Sequence, residues 1–309
     1  MRCGYNVVGT KTGRLSCHTS PTGSGFNLQT VAKRDRDLFL PDPGYWLFEC
    51  DLSGADGWTV AAHCAAHGDH TMLEDLQAGL KPAKEIVLMR RHGRQVLSWS
   101  RERLLAEEKG VPKDGWEYFA GKQAQHGGSY GMKAETLSDT ILKTSYKIFG
   151  EPLAVPVKVC EDLLQLFFLR YPGILRWHAW ISQQLRSRGY LVSANGHKRL
   201  FFGQKDDHNT FKEACADEPQ NNTTYAMKLA LRRLWTDEDN RQPAGLSVQP
   251  LHQVHDSLIG QFRKEDTVWS VSKLREWFNN PLTIAGQTIT IPFEGKYGES
   301  WGNLSEGDI

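Results

Sequence analysis

Apolar and polar residues alternate along GYWLFECD (44–51), with Trp46, Phe48 and Cys50 on one side and Leu47, Glu49 and Asp51 on the other. A period of two over this length predicts a short strand that ends on an acid. The next stretch, GWTVAAHCAAH, changes to a helical pattern, and Ser53 stands three residues before Asp56 with capping-box spacing. Asp51 is therefore expected at a strand end just before a helix. Residues 1–45, rich in Gly, Thr, Ser and Pro, read as extended chain and turns. From about 70 to 205 the pattern is mainly helical, with breaks at Pro112, Pro152 and Pro172-Gly173. AMKLALRRLW (226–235) predicts an amphipathic helix, LHQVHDSLIGQF (251–262) a hairpin, and residues 270–278 a further helix. TITIPFEGKYG (288–298) predicts one final strand. Strands that flank a helical middle predict an α+β fold with a helical insertion.

Two places depart from ordinary structural choices. The hairpin centre is His255-Asp256-Ser257, with no Gly, Pro or Asn to ease the turn. A carboxylate beside an imidazole at such a point suggests that the pair acts on something. In YFAGKQAQHGGSYGM (118–132), Tyr118, Lys122, His126 and Tyr130 recur every four residues and share one side of a helix. That row suits a flat, anionic ligand. The competing reading is a tyrosine-rich packing face with a snorkelling lysine. Gly121, Gly127 and Gly128 each cost roughly 1 kcal/mol against Ala in a helix. Their presence predicts a close approach or freedom to move.

Composition narrows the picture. The 309 residues are 39% hydrophobic, with ten Trp and thirteen Phe, enough for a real core in one or two domains. No apolar run is long enough to span a membrane, and MRCGYNVVGTKTGRLS lacks the apolar block of a signal peptide. Cysteines at 3, 17, 50, 64, 160 and 215 form no C-x-x-C pair, which makes a reducing cytoplasm the expected location. A formal net charge of +1 leaves any nucleic-acid site as a local stripe. KRDR (33–36), RRHGR (90–94) and HKR (197–199) are candidates, each read first as a solvated face. His63, Cys64, His67 and His70 could supply two zinc ligands at helical spacing, but without paired Cys a helix surface carrying titratable His is the simpler reading.

Taken in order, five segments resemble the C-terminal polymerase portion of family A DNA polymerases, the bacterial polymerase I and phage class. TGRLS (12–16) with NLQ (27–29) resembles the stretch before the first catalytic acid, and CDLSGADGWTVAAH resembles motif A. KQAQHGGSYGM is similar to the nucleotide-binding fingers helix, EPQNNTTYAMKLA to the segment with a minor-groove Gln, and QVHDSL to motif C. The ending PFEGKYGESWG also resembles that family's end, so the likeness covers nearly the whole chain. It implies a palm (1–68 and 211–309) interrupted by fingers (69–210). It implies template-directed addition of deoxynucleotides to a primer 3′ end, in phage or bacterial replication. Asp51 and Asp256 would hold two Mg²⁺ with the Leu52 carbonyl as a backbone ligand. Lys122 would pair with the incoming phosphates, His126 would stack on the nucleotide, and Tyr130 would lie near the template base. Arg14 and Gln220 would touch the minor-groove edge, Asn27 and Gln29 the DNA backbone, and His255 the primer end.

The pattern is broken at five points. Tyr118 stands where the family has Arg, and His126 where it has Phe or Tyr. GLKPAKEI (79–86) lacks the family's triphosphate-binding His. Asp56 is one methylene shorter than the Glu that excludes ribose, and Ser257 replaces a third, auxiliary acid. The family also carries a thumb before the TGR segment, and eleven residues precede Thr12. That implies either a separately encoded thumb or exonuclease partner, or a truncated chain. Two rival readings stay open: a noncatalytic DNA-binding remnant, and a His-Asp phosphohydrolase, which the strand-like setting of His255-Asp256 disfavours.

Overall fold

The computed structural model describes residues 3–7, 9–18, 23, 25, 27–243 and 245–309. Tyr45–Leu52 is the middle strand of a five-stranded antiparallel sheet. Ser257–Arg263 and then Val248–Val254 lie on one side of it, Phe293–Gly298 and Gly307–Asp308 on the other. The period of two sorts the two faces. Phe48, Cys50 and Leu52 join the main core with Phe262, while Leu47 packs with Ile259 and Trp301 in a smaller cluster behind the sheet. The helices Ala55–Ala66, His208–Thr236 and Thr267–Phe278 pack together over the main face.

The segment between 67 and 207 is helical, as the pattern predicts. It contains Thr71–Gln77, Pro82–His92, Arg101–Glu108, Trp116–Ser129, Ala134–Phe149, Val157–Arg170 and Gly173–Ser187, and closes with a small hairpin. A buried ionic cluster ties it together. Arg170 reaches Asp75 at 2.6 Å and Glu85 at 2.8 Å, both carboxylates fully buried, and the Tyr171 hydroxyl donates to Glu85. Such a cluster survives only because every charge has a partner. The architecture is α+β, and among the described residues no helix is long and apolar enough to cross a membrane.

Four expectations need correction. The predicted last strand is two: Gln287–Thr290 pairs with Pro281–Ile284, and only Phe293–Gly298 joins the central sheet. Pro292 lies between them and has no N–H to continue a ladder. The helix expected at 226–235 begins at His208 and includes Pro219; the polar run NNTT and the proline hide its first half from a propensity reading. Ser53 is not a helix cap. Gly54, in a left-handed conformation, is the N-cap, and Asp56 is occupied elsewhere. His63 is not on a helix surface but buried against Trp177, 3.1 Å from Glu218.

Candidate active site

Strand register brings the acids together. Asp51 faces Ser257 across one ladder and Glu294 across the other. Asp256 is the second residue of the two-residue turn that joins Val254 to Ser257, and its carbonyl accepts from the Leu52 N–H at 3.0 Å. The first turn residue, His255, has φ +54°. A positive φ at that position alone is the pattern of a type II′ turn, in which Gly is the easy choice. His255 is exposed and its carbonyl accepts from the Gln253 side chain. The hairpin thus sets Asp256 beside Asp51 at the cost of a conformation that non-glycine residues seldom adopt.

These strand ends form the floor of a cleft of about 900 Å³. Asp51, Leu52, Asp256 and Glu294 line it. Asp51 opens toward solvent through the cleft, yet protein surrounds it on its other sides. Burial, then the charges of Asp256, Glu49 and Glu294, push its carboxyl up to about 7, against the pull of Lys122. Glu49 also explains Ser257. The Ser257 hydroxyl donates to Glu49 at 2.8 Å, and Glu49 is held further by Trp301 and Arg36. Ser257 is thus engaged by an acid of the neighbouring strand that does not itself line the cleft.

The opposite wall is the helix Trp116–Ser129. Tyr118, Lys122, His126 and Tyr130, its C-cap, all line the same cleft, so the four share one side of the helix. The glycines make the close approach that their cost implies. A Cβ on Gly121 would meet the Ala83 carbonyl oxygen at 2.5 Å, and one on Gly128 would meet Phe167 at 2.8 Å. His126 stacks edge-on against Tyr130 at 4.6 Å. Burial, with Lys122 and Arg14 nearby and Asp56 opposing them, holds its imidazole below the usual range. Asp56 is fully engaged: the Tyr130 hydroxyl donates to one oxygen and Thr223 to the other at 2.8 Å.

Arg14 lines the cleft from a third side. Its segment rests on the long helix, where Asn221 donates to the Thr12 carbonyl at 3.1 Å and Lys228 to the Gly13 carbonyl at 2.8 Å. Gly13 has φ +76°, which suits glycine at this crossing. Gln220 sits beside Tyr130. Asn27 and Gln29 do not join the cleft. Asn27 accepts from the Gln29 N–H, and the Gln29 amide links Cys17, Leu15 and Gln253. The basic stripes are mostly exposed, as solvated faces are, and part of each is paired within the chain: Arg36 with Glu49, Arg91 with Glu117, and Arg199 with Glu213 and Asp217.

Sequence reasoning misses Lys81, Lys113 and Glu294, all in the cleft lining. Glu294 emerges only from strand pairing. Lys81 carries a local signal, since Pro82 directly after it marks a helix start.

The pattern of DNA polymerase family A matches residues 1–303, and the chain belongs to that family. It is 24% identical to the thermostable DNA polymerase I of Thermus aquaticus, over 98% of this chain and 32% of that protein. It is 22% identical to DNA polymerase I of Aquifex aeolicus, over 96% of this chain and 45% of that protein. The chain thus spans between about a third and a half of the length of these two relatives. The polymerase domain of Pol1 from M. smegmatis, in complex with DNA primer-template and dNTP, superposes with a TM-score of 0.71 at 20% identity. The match covers 98% of this chain and 48% of that one.

Proposed function

We propose that the cleft carries out template-directed transfer of deoxynucleotides to a primer 3′ end. The observation that carries this reading is that one cleft has an acidic floor, Asp51 with Asp256, and a wall bearing the Lys122 row. In this reading 1–68 and 211–309 are a palm, and 69–210 are fingers.

The floor fits divalent cations. Its donors are hard oxygens, and the mutual repulsion that raises Asp51 is relieved by positive charge. Asp51, Asp256 and the Leu52 carbonyl would hold two Mg²⁺, the remaining positions being left to water and substrate phosphate. When bound, the pair supplies charge neutralisation at phosphate and a more acidic primer hydroxyl. The chain's own residues do the rest. Lys122 pairs with the nucleotide's phosphates. His126, held neutral, stacks on the incoming base, and Tyr130 closes the template side. Arg14 and Gln220 meet the minor-groove edge, where acceptors are alike for all pairs, so the contact reads pair shape. His255 positions the primer end. Asp56, drawn toward Tyr130 and Thr223, forms the part of the wall nearest the sugar.

Primer extension with purified chain, Mg²⁺ and four deoxynucleotides tests the proposal. Product whose sequence follows the template is the expected result. Primer-template binding without extension, across metals and salt, would leave only the noncatalytic reading.

A further inference from the structure

Lys122 is the one cation that the Trp116–Ser129 row brings to the cleft, because Tyr118 holds the family's arginine position and His126 is held neutral. A triphosphate with one lysine would be poorly matched. Two further lysines reach the same space from other segments. Lys81 is the N-cap of the Pro82–His92 helix, and Lys113 belongs to the loop just before Trp116–Ser129. Lys81 is held in place by its backbone N–H, which donates to the buried Glu108 carboxylate at 2.8 Å.

Both lysines line the same cleft, and the Lys113 charge acts on Lys81. Among the described residues neither Lys81, Lys113 nor Lys122 has a carboxylate within ion-pair distance. Glu294, on the acidic floor, and the buried Glu108 interact electrostatically with Lys81. Two adjacent unpaired cations repel, and folding gains nothing from the arrangement. Burial first, and Lys113 next, hold the Lys81 ammonium below its usual range. An anion seated between them removes that repulsion and completes a charge-assisted grip. The first turn of the Pro82–His92 helix, with Pro82 and Ala83 also lining the cleft, adds a positive dipole end on the same side.

We infer that Lys81 and Lys113 form a cationic pair that binds the triphosphate tail of the nucleotide, and the pyrophosphate released from it, alongside Lys122. This rests on the nucleotidyl-transfer reading. Lys81 supplies from within GLKPAKEI, and Lys113 from the loop before Trp116–Ser129, positive charge that the row loses at Tyr118.

The test uses the whole chain and inorganic tripolyphosphate without metal, followed by calorimetry. Lys81→Gln and Lys113→Gln should each weaken binding by about tenfold, and the double variant by about a hundredfold, tenfold being 1.4 kcal/mol. The nucleotide KM in primer extension should rise in parallel. Lys143→Gln, on an exposed helix face, should change neither. The double variant should melt no lower than its parent, since a repulsion has been removed, which separates lost binding from lost folding. Unchanged tripolyphosphate affinity in the double variant overturns the inference, and template-directed extension by that same variant leaves the nucleotidyl-transfer reading standing. Loss of single-stranded oligonucleotide binding with tripolyphosphate unaffected assigns the lysines to the DNA backbone and also overturns it. Absence of extension by the unmodified chain is the separate result that counts against the nucleotidyl-transfer reading.

Discussion

The acidic floor and the basic wall face each other across one cleft but hold their charges by different means. Asp51 and Asp256 are fixed by backbone: a strand register, a two-residue turn and the Leu52 N–H to Asp256 carbonyl bond. Shifting either strand by one residue would turn its acid to the other face. Lys81, Lys113 and Lys122 project from a helix cap, a loop and a helix face on flexible stems. A cation on such a stem can be supplied from several backbone positions, whereas a carboxylate at a strand end has little choice. That difference accounts for where this chain departs from its family. Glu49, on the adjacent strand, stays within reach of Ser257, while Lys81 and Lys113 enter the cleft from segments outside the Trp116–Ser129 helix.

The comparison breaks most visibly if the floor is altered. Asp51→Asn or Asp256→Asn should lower single-turnover extension by about a thousandfold or more, since each removes a metal-holding oxygen worth several kcal/mol. Primer-template binding should stay near its original strength, and an active Asp256→Asn preparation would overturn the floor assignment. The wall should yield less to single changes. Lys122→Ala should weaken nucleotide use by roughly tenfold to a hundredfold, the value of one charge-assisted contact of about 1.5–3 kcal/mol. A nucleotide titration of single-turnover extension reads this directly.

Two smaller effects sharpen the structural side. Gly121→Ala should gain roughly 1 kcal/mol of helix propensity in isolation. Because its Cβ meets the Ala83 carbonyl, urea unfolding should instead show a net loss of about 1–3 kcal/mol. Glu108 is buried, and burial, opposed by the Lys81 N–H, raises its carboxyl from 4.5 to about 7. The unfolded chain gives up this proton near 4.5 while the folded chain keeps it to about 7, so stability falls as pH rises through that window. Glu108→Gln lacks that slope. It should match the parent near pH 4 and exceed it by about 1–3 kcal/mol at pH 8, as read by paired urea melts.

Legibility in the sequence followed the same division. Asp51 and Asp256 are visible because strand alternation and an uncomfortable turn leave marks within a few residues. The row from Tyr118 to Tyr130 is visible because helical period is local. Glu294 and Glu49 depend on which strands pair, and the meeting of Lys81 with Lys113 on how two loops approach in space; Pro82 marks Lys81 as a helix start but says nothing of the cleft. The proline at 219 hides the first half of the long helix, and Pro292 divides a continuous apolar alternation into two strands of different sheets. Gln29, quoted for its resemblance, has its amide engaged within the fold, which only the folded chain reveals.

Gly121 and Ala83 touch with no side chain between them. Backbone against backbone leaves no rotamer to adjust, so Pro82–His92 and Trp116–Ser129 act as a single piece. Lys81 stands at the start of one and Lys122 within the other. The backbone origins of the two lysines are thereby held at a set spacing, and only their flexible stems are left to adjust. Whatever moves one of these helices must then carry the other with it, so the two lysine-bearing segments can shift only together.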